Sequence, residues 1–403
     1  MSKIKLTKAC NIVTGKLDAN AAEKRGKYPY FTCAPEPLAI NTFAFDDDVI
    51  LLAGNNASGN FHCQRYKGKF NAYQRTYVIT AKQGYDIEYI YYNLKINLQN
   101  LKKIAQGSQT KFLTMQILDT FQIEDIPIYE QKKVTEILAY VDKKMENNNK
   151  INAELESMAK TIYDFWFLQY EFPNEDGRPY KASGGKMVWN EELKREIPEG
   201  WKVDFLGRLF TSKRGISYNS KNIEGGGVPM INLASFNVDG SYKEEGIKVY
   251  SGEYSEEKVV KPFELLMCNT QQTAIDYKKD IIGKAFLVPD IFEGDIVTSH
   301  HVTTIQVEKD SVKYFLHRLF NTDYFHKYAA GFTNGTNILG LIFSGIEKYR
   351  LEIPDDAVLE KFADLMLDIE KKKSKIIKEN QELISLRDFL LPLLMNGQVG
   401  FKA

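Results

Sequence analysis

The chain has 403 residues, of which 43% are hydrophobic and 12% aromatic, so it can form two or three domains with real cores and is not disordered. Lys plus Arg and Asp plus Glu number 53 each, so the basic excess common in free-standing nucleic-acid-binding domains is missing, although basic segments or a basic partner could still supply phosphate contacts. Without a signal peptide or an apolar run near the roughly 20 residues that span a bilayer, the chain is expected to be soluble and cytoplasmic.

Residues 1–128 are predicted to form a mixed α+β domain. Short strands bounded by Gly, Asn or Asp are expected at 5–13, 49–53 and 75–80. A helix is expected at 86–100, and a glycine-rich turn from Gly107 to Thr110 follows it. Pro127 then marks the end of this domain.

Residues 129–168 are predicted to form one long helix. From Tyr129 to Phe167 it would measure on the order of 58 Å at about 1.5 Å per residue, which is long enough for a spacer. A linker at 169–199 leads to the second half of the chain.

The second half repeats this order. Residues 200–354 are predicted to form another mixed domain, which ends at Pro354. Its expected elements are strands at 203–210, 263–267 and 302–307, a helix at 311–328 and a glycine-rich turn from Gly331 to Thr336. A second long helix at 355–395 and a tail at 396–403 complete the chain.

The two halves are related by an internal repeat. The long helices align at a constant offset of 228, and their matched heptad positions are Val134 and Phe362, Val141 and Ile369, Asn148 and Ile376, Leu155 and Leu383, and Ile162 and Leu390. The domains align more faintly at an offset of 200, where Gly15 meets Gly215 and Pro29 meets Pro229. Each repeat needs a neighbour to bury its apolar stripe, so the pattern indicates tandem copies. Their diverged loops fit two recognition domains with different targets, and equally fit drift after duplication.

Tandem copies of this kind are expected to pack about a pseudo-twofold axis with the two helices antiparallel. Polar residues interrupt the stripe, where Lys144 matches Lys372 and Asn152 matches Asn380. They either fix the register of the helices or lie beside the seam facing water. The predicted fold class is therefore α+β, with two tandem mixed α/β domains separated by two long helices that form an antiparallel coiled coil with a pseudo-twofold internal repeat.

The linker carries a resemblance to a known family. Trp166-Phe167 is followed, from Phe172 to Trp201, by FPNEDGRPYKASGGKMVWNEELKREIPEGW, which is similar to the central region of type I restriction-modification specificity subunits. The Ile-Pro pairs that end the two domains, Ile126-Pro127 and Ile353-Pro354, fit the same family. The first domain departs from the pattern because Lys5-Leu6 lacks an EIPEGW-type lead, so its opening strand is expected to be shorter or irregular.

The resemblance covers essentially the whole chain and implies a non-catalytic DNA reader. In this family, two target recognition domains each read one half of a split sequence in double-stranded DNA. The helices form an antiparallel coiled coil that docks methyltransferase subunits, here expected to be two. A translocating endonuclease subunit joins the complex to cut DNA.

If DNA is read, amide, cationic and imidazole side chains on turns near strand ends should read it, because these groups bind base edges. The candidate base readers are Asn55, Asn56, Ser58, Gln74 and Arg75 in the first domain, and Asn269, Gln271, Gln272, His300 and His301 in the second. The candidate phosphate contacts are Lys16, Thr110, Lys213 and Arg214. The Asn and Ser residues are equally typical of turns that bind nothing.

Apolar residues at the helix ends exceed what a two-helix seam can bury, so a partner subunit is expected to cover them. The candidate contacts are Phe165, Trp166, Phe167, Phe389, Leu390 and Leu393. The isolated chain is accordingly expected to aggregate or to be unstable.

Signs of other chemistry are weak. The sequence lacks the Asn/Asp-Pro-Pro-aromatic tetrapeptide with which an adenine methyltransferase holds its flipped base, and Ser183 to Lys186 lacks the remaining residues of a phosphate-binding loop. The four cysteines are far apart without a CxxC pair, and no cofactor or metal is expected. Two alternatives stay open: a coiled-coil scaffold that binds no DNA, favoured by the zero net charge, and an autonomous endonuclease fused to readers, disfavoured by the lack of an acidic metal-binding cluster.

Overall fold

The computed structural model describes residues 2–223, 225–272, 279–396 and 398, apart from the side chain of Gln272. The chain divides into two compact units: residues 1–146 with 381–403, and residues 147–380. Each unit contains one mixed domain and parts of both long helices. Most of the predicted tail lies outside the described residues. So does the side chain of Gln272, which was a candidate base reader.

The first domain is built around a mixed sheet. Within the described residues this sheet has six strands, in the spatial order Cys10–Thr14, Thr76–Ala81, Phe45–Ala53, Cys63–Ala72, Tyr28–Phe31 and Leu38–Ile40. Tyr28–Phe31 and Cys63–Ala72 run parallel, and the other neighbours run antiparallel. Two shorter pairs join Lys3–Lys5 to Gln122–Glu124 and Asn55–Asn56 to Lys111–Phe112.

Both faces of this sheet are buried at the end of the strand Phe45–Ala53, which explains the continuous apolar run VILLA. Ile50 and Leu52 pack into the larger core together with the helices of the domain. Val49 and Leu51 point to the opposite face and pack with Phe70. Successive side chains of a strand alternate between its faces, so a strand covered on both sides is apolar throughout.

Two of the predicted elements of this domain are wrong in detail. The strand expected at 5–13 is interrupted by the helical turn Leu6–Ala9, because Leu6 and Ala9 are both fully buried and lie one helical turn apart. The single helix expected at 86–100 is two helices, Ile87–Ile96 and Leu98–Ile104, which meet at Asn97. The remaining helical segments are Ala19–Ala21 and Met115–Thr120.

The second domain repeats this architecture with more strands. Its described residues form two four-stranded sheets, ordered Thr211–Arg214, Val302–Gln306, Leu265–Cys268, Ala285–Leu287 and Lys248–Tyr250, Val228–Ile231, Ile296–Thr298, Val259–Val260. Smaller groups are Thr270–Gln272, Ile338–Leu341 and Thr333–Asn334, and the pair Lys202–Phe205 with Arg350–Ile353. Leu265 and Met267 face one core and Leu266 and Cys268 the other, the same alternation as in the first domain.

The helices of the second domain also repeat those of the first. The predicted helix at 311–328 is two helices, Asp310–Phe320 and Asp323–Ala330, and Thr322 caps the second by accepting from the Phe325 amide at 3.3 Å. The expected strand at 203–210 ends at Phe205 and passes into a 3₁₀ turn. The short helical segments are Leu206–Arg208, Ser220–Ile223, Leu233–Ser235, Glu244–Gly246, Glu256–Lys258 and Phe343–Ile346.

The linker forms part of the second unit. A hairpin pairs Met187–Asn190 with Arg195–Pro198. Phe172, which precedes the hairpin, stacks on Tyr180 and on Trp201, with ring centroids 4.5 and 5.3 Å apart. Trp201 follows the hairpin. Phe172, Tyr180 and Trp201 of the linker motif therefore contribute to the core of this unit, whereas Trp189 is exposed.

The long helices are Ile128–Tyr163, continued by a π-helical turn at Asp164–Leu168, and Asp356–Met395. They are antiparallel within each unit. In the first unit Arg387 lies 3.3 Å from Asp142, and in the second Lys373 lies 2.7 Å from Glu156. Among the described residues, no helix combines the length and apolarity needed to cross a membrane.

The repeated stripe lies at the helix seam in both units. Val134 and Val141 are buried, as are Phe362 and Ile369 at the matched positions. The polar interruption is centred on Asn148, which is 2% exposed and donates to Asn380 at 2.9 Å and to Glu379 at 2.8 Å. Asn380 is thus part of the seam and does not lie beside it facing water, which agrees with the expectation that polar residues fix the register.

Each domain is attached to the helices through a carboxylate at the same repeat position. In the first unit Asp142 accepts a hydrogen bond from Tyr92 at 2.9 Å. In the second unit Glu370, which is 228 residues later, accepts from Arg318 at 2.8 Å. Arg318 is 4% exposed and also pairs with Glu156 on the first long helix. Removing such charges from water is costly, and their mutual attraction offsets that cost only when every charge has a partner.

Candidate nucleic-acid interface

Five segments of the first domain meet through backbone hydrogen bonds. We call them the first turn cluster; they are residues 15–17, 31–33, 53–56, 73–76 and 110–113. The Gln74 amide donates to the Leu17 carbonyl at 2.9 Å, and the Gly54 amide donates to the Arg75 carbonyl at 2.8 Å. The predicted sites Lys16, Asn55, Gln74, Arg75 and Thr110 are therefore brought onto adjoining turns.

The second domain contains an equivalent group, the second turn cluster, at residues 215–217, 231–232, 268–271, 298–302 and 338–341. Four backbone bonds, each from an amide to a carbonyl, recur in both clusters. In the first cluster they run from Gly15 to Thr76, Gln74 to Leu17, Tyr73 to Phe31 and Gly54 to Arg75. In the second they run, in the same order, from Gly215 to Val302, His300 to Ile216, Ser299 to Ile231 and Asn269 to His301. All eight are between 2.8 and 3.1 Å long. The repeat is thus preserved bond by bond in the backbone of the two clusters.

Glycine is required at one matched position in each cluster. A Cβ atom on Gly15 would lie 2.0 Å from the Ala72 carbonyl oxygen, and one on Gly215 would lie 2.2 Å from that of Ser299. Both distances are far below van der Waals contact, so the backbone of a neighbouring turn approaches as closely as only glycine allows. The sequence alignment of Gly15 with Gly215 is confirmed.

The side chains on this shared backbone differ. By the matched bonds, Gln74 corresponds to His300 and Arg75 corresponds to His301. Gln74 and Arg75 are exposed, and the two histidines are half-buried. An amide and a guanidinium in one domain are therefore replaced by two imidazoles in the other.

The remaining candidates of the first cluster divide into two groups. Asn56 accepts from the Ser58 amide at 3.0 Å and from its hydroxyl at 2.9 Å, so these two residues build their own turn. Gln74 donates to Asp18 at 2.7 Å, which orients its amide and leaves the carbonyl oxygen for another contact. Asn55 is half-buried on the short strand that pairs with Lys111–Phe112.

The structure corrects the role expected of Asn269. Its side chain is 5% exposed, and its amide nitrogen donates to the Thr303 hydroxyl at 2.7 Å and to the His300 carbonyl at 3.2 Å. Its oxygen accepts from the Thr270 hydroxyl at 2.7 Å. With its amide committed inside the protein, Asn269 holds the turn of His300 and is not free to read a base.

Lys213 uses one of its donors within the domain. Its ammonium group donates to the backbone carbonyl of Glu257, inside the domain. Arg214 is exposed, and its Nε atom donates to the His300 carbonyl at 3.0 Å, which leaves the terminal nitrogens for a phosphate. Gln271 accepts from the Ile281 amide at 3.4 Å.

Two neighbours of His300 were missed by sequence reasoning. The Tyr218 ring lies 5.8 Å from the His300 ring, and Lys248 donates to the Tyr218 hydroxyl at 3.3 Å. Burial lowers the pKa of His301, and the nearby charges of His300, Arg214 and Lys248 lower it further. Tyr218 and Lys248 lie on segments far from residue 300 in sequence, so no local pattern could have linked them.

The predicted partner contacts fall into different environments. Trp166 and Phe167 are 8% and 2% exposed and pack on Phe362 in the core of the second unit, so this chain itself covers them. Phe165 is 38% exposed and Phe389 is 66% exposed. Leu390 and Leu393 are half-buried.

A second apolar stripe was missed beside the seam. It contains two matched pairs at the offset of 228, Ile137 with Leu365 and Met158 with Leu386, and all four side chains are between 37% and 53% exposed. Ile137 and Leu386 form the first helix patch, in the first unit. Met158 and Leu365 form the second helix patch, in the second unit. The signal in the sequence was the seven-residue spacing of Ile151, Met158 and Phe165, with Ile137 two heptads before Ile151.

Metal chemistry has no candidate in the part of the chain that the structure describes, where no group of three or more His, Cys, Asp or Glu residues could hold an ion. Cys10 and Cys268 are buried, and burial raises the pKa of each thiol to about 12. Such thiols stay protonated and are poor nucleophiles.

Comparison with known proteins follows the same internal division. The family described as type I restriction modification DNA specificity domain matches residues 1–157 and 198–386. The specificity subunit of the type I restriction enzyme MjaIX, from Methanocaldococcus jannaschii, is 27% identical over 327 residues. These residues cover 80% of this chain and 71% of that protein. The EcoDI specificity subunit of Escherichia coli is 32% identical over 209 residues, which cover 49% of this chain and 46% of that protein.

The fold is shared with a solved structure. The crystal structure of the type I restriction-modification system S subunit from M. genitalium aligns with a TM-score of 0.61, covering 98% of this chain and 96% of that one. The two sequences are 14% identical, so this likeness concerns the fold.

Proposed function

Because the chain belongs to the family of type I restriction-modification specificity subunits, we propose that its two domains read the two halves of a bipartite target in double-stranded DNA. The observation that carries this proposal is the pair of turn clusters. Their backbone bonds are the same, whereas the polar side chains at matched positions are different. A conserved frame with exchanged side chains is what two readers of different sequences require.

In the first half-site we assign base reading to Arg75 and Gln74, with Asn55 beside them. Arginine binds guanine with two hydrogen bonds, and an amide can bind adenine similarly. Lys16 and Thr110 are exposed on adjoining turns and are the proposed phosphate contacts of this domain. Asn56 and Ser58 keep a structural role in this proposal, because they bond to each other.

In the second half-site we assign base reading to His300 and His301, with Gln271 on the adjoining strand. Arg214 is the proposed phosphate contact of this domain. Asn269 acts as a positioning residue for the His300 turn, and Lys213, which keeps further N–H donors beside its bond to the Glu257 carbonyl, is a second candidate phosphate contact.

We further propose that the helix patches dock two methyltransferase subunits, one on each patch. The patches occupy matched repeat positions, so two copies of one partner could bind them in the same way. Their apolar side chains are exposed in the chain alone and would be desolvated by a partner. Phe165 and Phe389 extend the apolar surface, and endonuclease subunits would join the assembled complex.

The chain itself is proposed to be non-catalytic, to need no cofactor and to act in the cytoplasm. Cleavage of duplex DNA by the purified chain with Mg²⁺ alone would overturn this proposal in favour of a fused endonuclease. Failure of the chain to bind DNA even with its methyltransferase subunits would favour the scaffold alternative.

The reading proposal is tested by one side chain and a matched control. Arg75→Ala should relax discrimination at one base pair of the first half-site, at a cost of about 1–3 kcal/mol in binding of the original target. Lys194→Ala removes a cation that is exposed on the linker, with a side chain 72% exposed, and should leave binding unchanged. Binding to duplexes carrying each substitution of the target is the measurement. Equal effects of the two variants would contradict the assignment of Arg75.

A further inference from the structure

The rings of the two histidines of the second turn cluster are in contact and tilted against each other. The ring centroids of His300 and His301 are 3.9 Å apart, with an interplanar angle of 40°. Successive base pairs of duplex DNA rise by about 3.4 Å. Two imidazoles in contact at this spacing can therefore face two successive base pairs.

The backbone that carries the two rings is held on several sides. The His300 amide donates to the Ile216 carbonyl at 2.8 Å, and its carbonyl accepts from both Arg214 and Asn269. The His301 carbonyl accepts from the Asn269 amide at 3.0 Å. The ring of Tyr218 lies beside that of His300. The backbone that carries the rings is thus fixed before any ligand arrives, which lowers the entropy cost of binding.

The burial of one nitrogen determines what each ring can offer. The Nδ1 atoms of His300 and His301 are both buried, and neither has a hydrogen-bond partner among the described residues. A proton on a buried nitrogen without an acceptor would leave an unsatisfied N–H group, which is costly. The neutral tautomer with its proton on Nε2 leaves no unsatisfied N–H group at either ring. At His301, burial and the charges of Arg214 and Lys248 also lower the pKa and so oppose a second proton. Each ring therefore presents an Nε2–H donor.

We propose that His300 and His301 donate these Nε2–H groups to the N7 atoms of two successive purines on one strand of the second half-site. Major-groove N7 atoms are acceptors in both guanine and adenine, so this contact distinguishes purines from pyrimidines without separating the two purines. The inference rests on the proposed function. It goes beyond it by naming the base class, the groove and the donor atom.

The experiment uses the full chain purified with its methyltransferase subunits and a duplex carrying the methylated motif of cells that express them. The second half-site should contain two adjacent purines at which 7-deazapurine, which has carbon in place of N7, weakens binding. Loss of one hydrogen bond of this kind should weaken binding by about 3- to 10-fold per position. In the His300→Ala and His301→Ala variants the deaza substitution at the matching position should have no further effect.

The controls separate this inference from the proposed function. Both variants should keep their discrimination within the first half-site, which shows that they are folded and assembled. If the wild-type complex does not bind the motif duplex, the proposed function itself is overturned. If the wild-type complex binds but 7-deazapurines do not weaken its binding, the purine-N7 contact is overturned and DNA reading stands. The same holds if 7-deazapurines weaken binding of both histidine variants as much as they weaken binding of the wild type. A second half-site without adjacent purines would also overturn it.

Discussion

Replacing Arg318 by alanine should loosen the attachment of the second domain to the long helices. Arg318 is 4% exposed and bonds to carboxylates on both long helices, Glu156 and Glu370. Breaking a buried ion pair commonly costs 3–5 kcal/mol, and Lys373 would still pair with both carboxylates, so we expect a loss of about 2–4 kcal/mol.

Amide hydrogen exchange in the assembled complex measures this loss locally. At about 1.36 kcal/mol per factor of ten, protection of the helix Asp310–Phe320 should fall by roughly 30- to 1,000-fold. Arg178→Ala is a matched control, because Arg178 and Asp176 form an ion pair with side chains 68% and 67% exposed. Such exposed pairs contribute at most about 1 kcal/mol. If Arg318→Ala changed protection no more than Arg178→Ala does, the buried network would carry no net stability.

The same network predicts an acid dependence with a defined sign. Burial alone would raise the pKa of Glu156, but the charges of Arg318 and Lys373 outweigh it and hold the pKa below the usual 4.5. A carboxylate with a depressed folded-state pKa stabilises the protein above its unfolded value and loses that contribution as the pH falls below it. Protection of the Asp310–Phe320 helix should therefore decline below about pH 4.5, and Arg318→Ala should flatten that decline. A decline of equal steepness in the variant would contradict this reasoning.

Three further predictions use matched positions of the repeat. Gly15→Ala should disturb recognition of the first half-site, and Gly215→Ala should disturb recognition of the second half-site. Methylation of duplexes altered in one half-site measures this, and an equal loss of recognition at both half-sites from either variant would refute it. Asn148→Leu should raise the thermal midpoint and allow more than one helix register, because a buried amide fixes register at a cost in stability; a single register in cysteine cross-linking would count against it. Ile137→Glu and Leu365→Glu should each remove one methyltransferase subunit from the complex in native mass spectrometry, and retention of both would exclude the helix patches as docking sites.

Features that follow from periodicity or close backbone approach could be predicted from the sequence. The seam residues recur at heptad spacing within each helix, as Val134 and Val141 do in one and Phe362 and Ile369 in the other, because each faces the other helix in every second turn. Gly15 and Gly215 align because a neighbouring carbonyl excludes a Cβ atom at both. These constraints leave the same residue types in both copies, so a single sequence suffices to find them.

Features that depend on distant parts of the chain could not be predicted. Asn269 has the composition of a turn reader, but only the folded structure brings Thr303 and His300 to its amide. Trp166 and Phe167 form an apolar excess in the sequence, and the sequence does not reveal that the chain's own second domain covers them. Tertiary partners decide both cases, and those partners leave no local pattern.

The most direct test of the central proposal is methylation sequencing of cells that express this chain with its methyltransferase subunits, compared with cells in which residues 1–125 are exchanged for those of another family member. We expect a bipartite methylated motif that depends on this chain, and exchange of the first domain should replace one half of it and leave the other half intact. Replacement of both halves, or a motif that does not depend on this chain, would contradict the account.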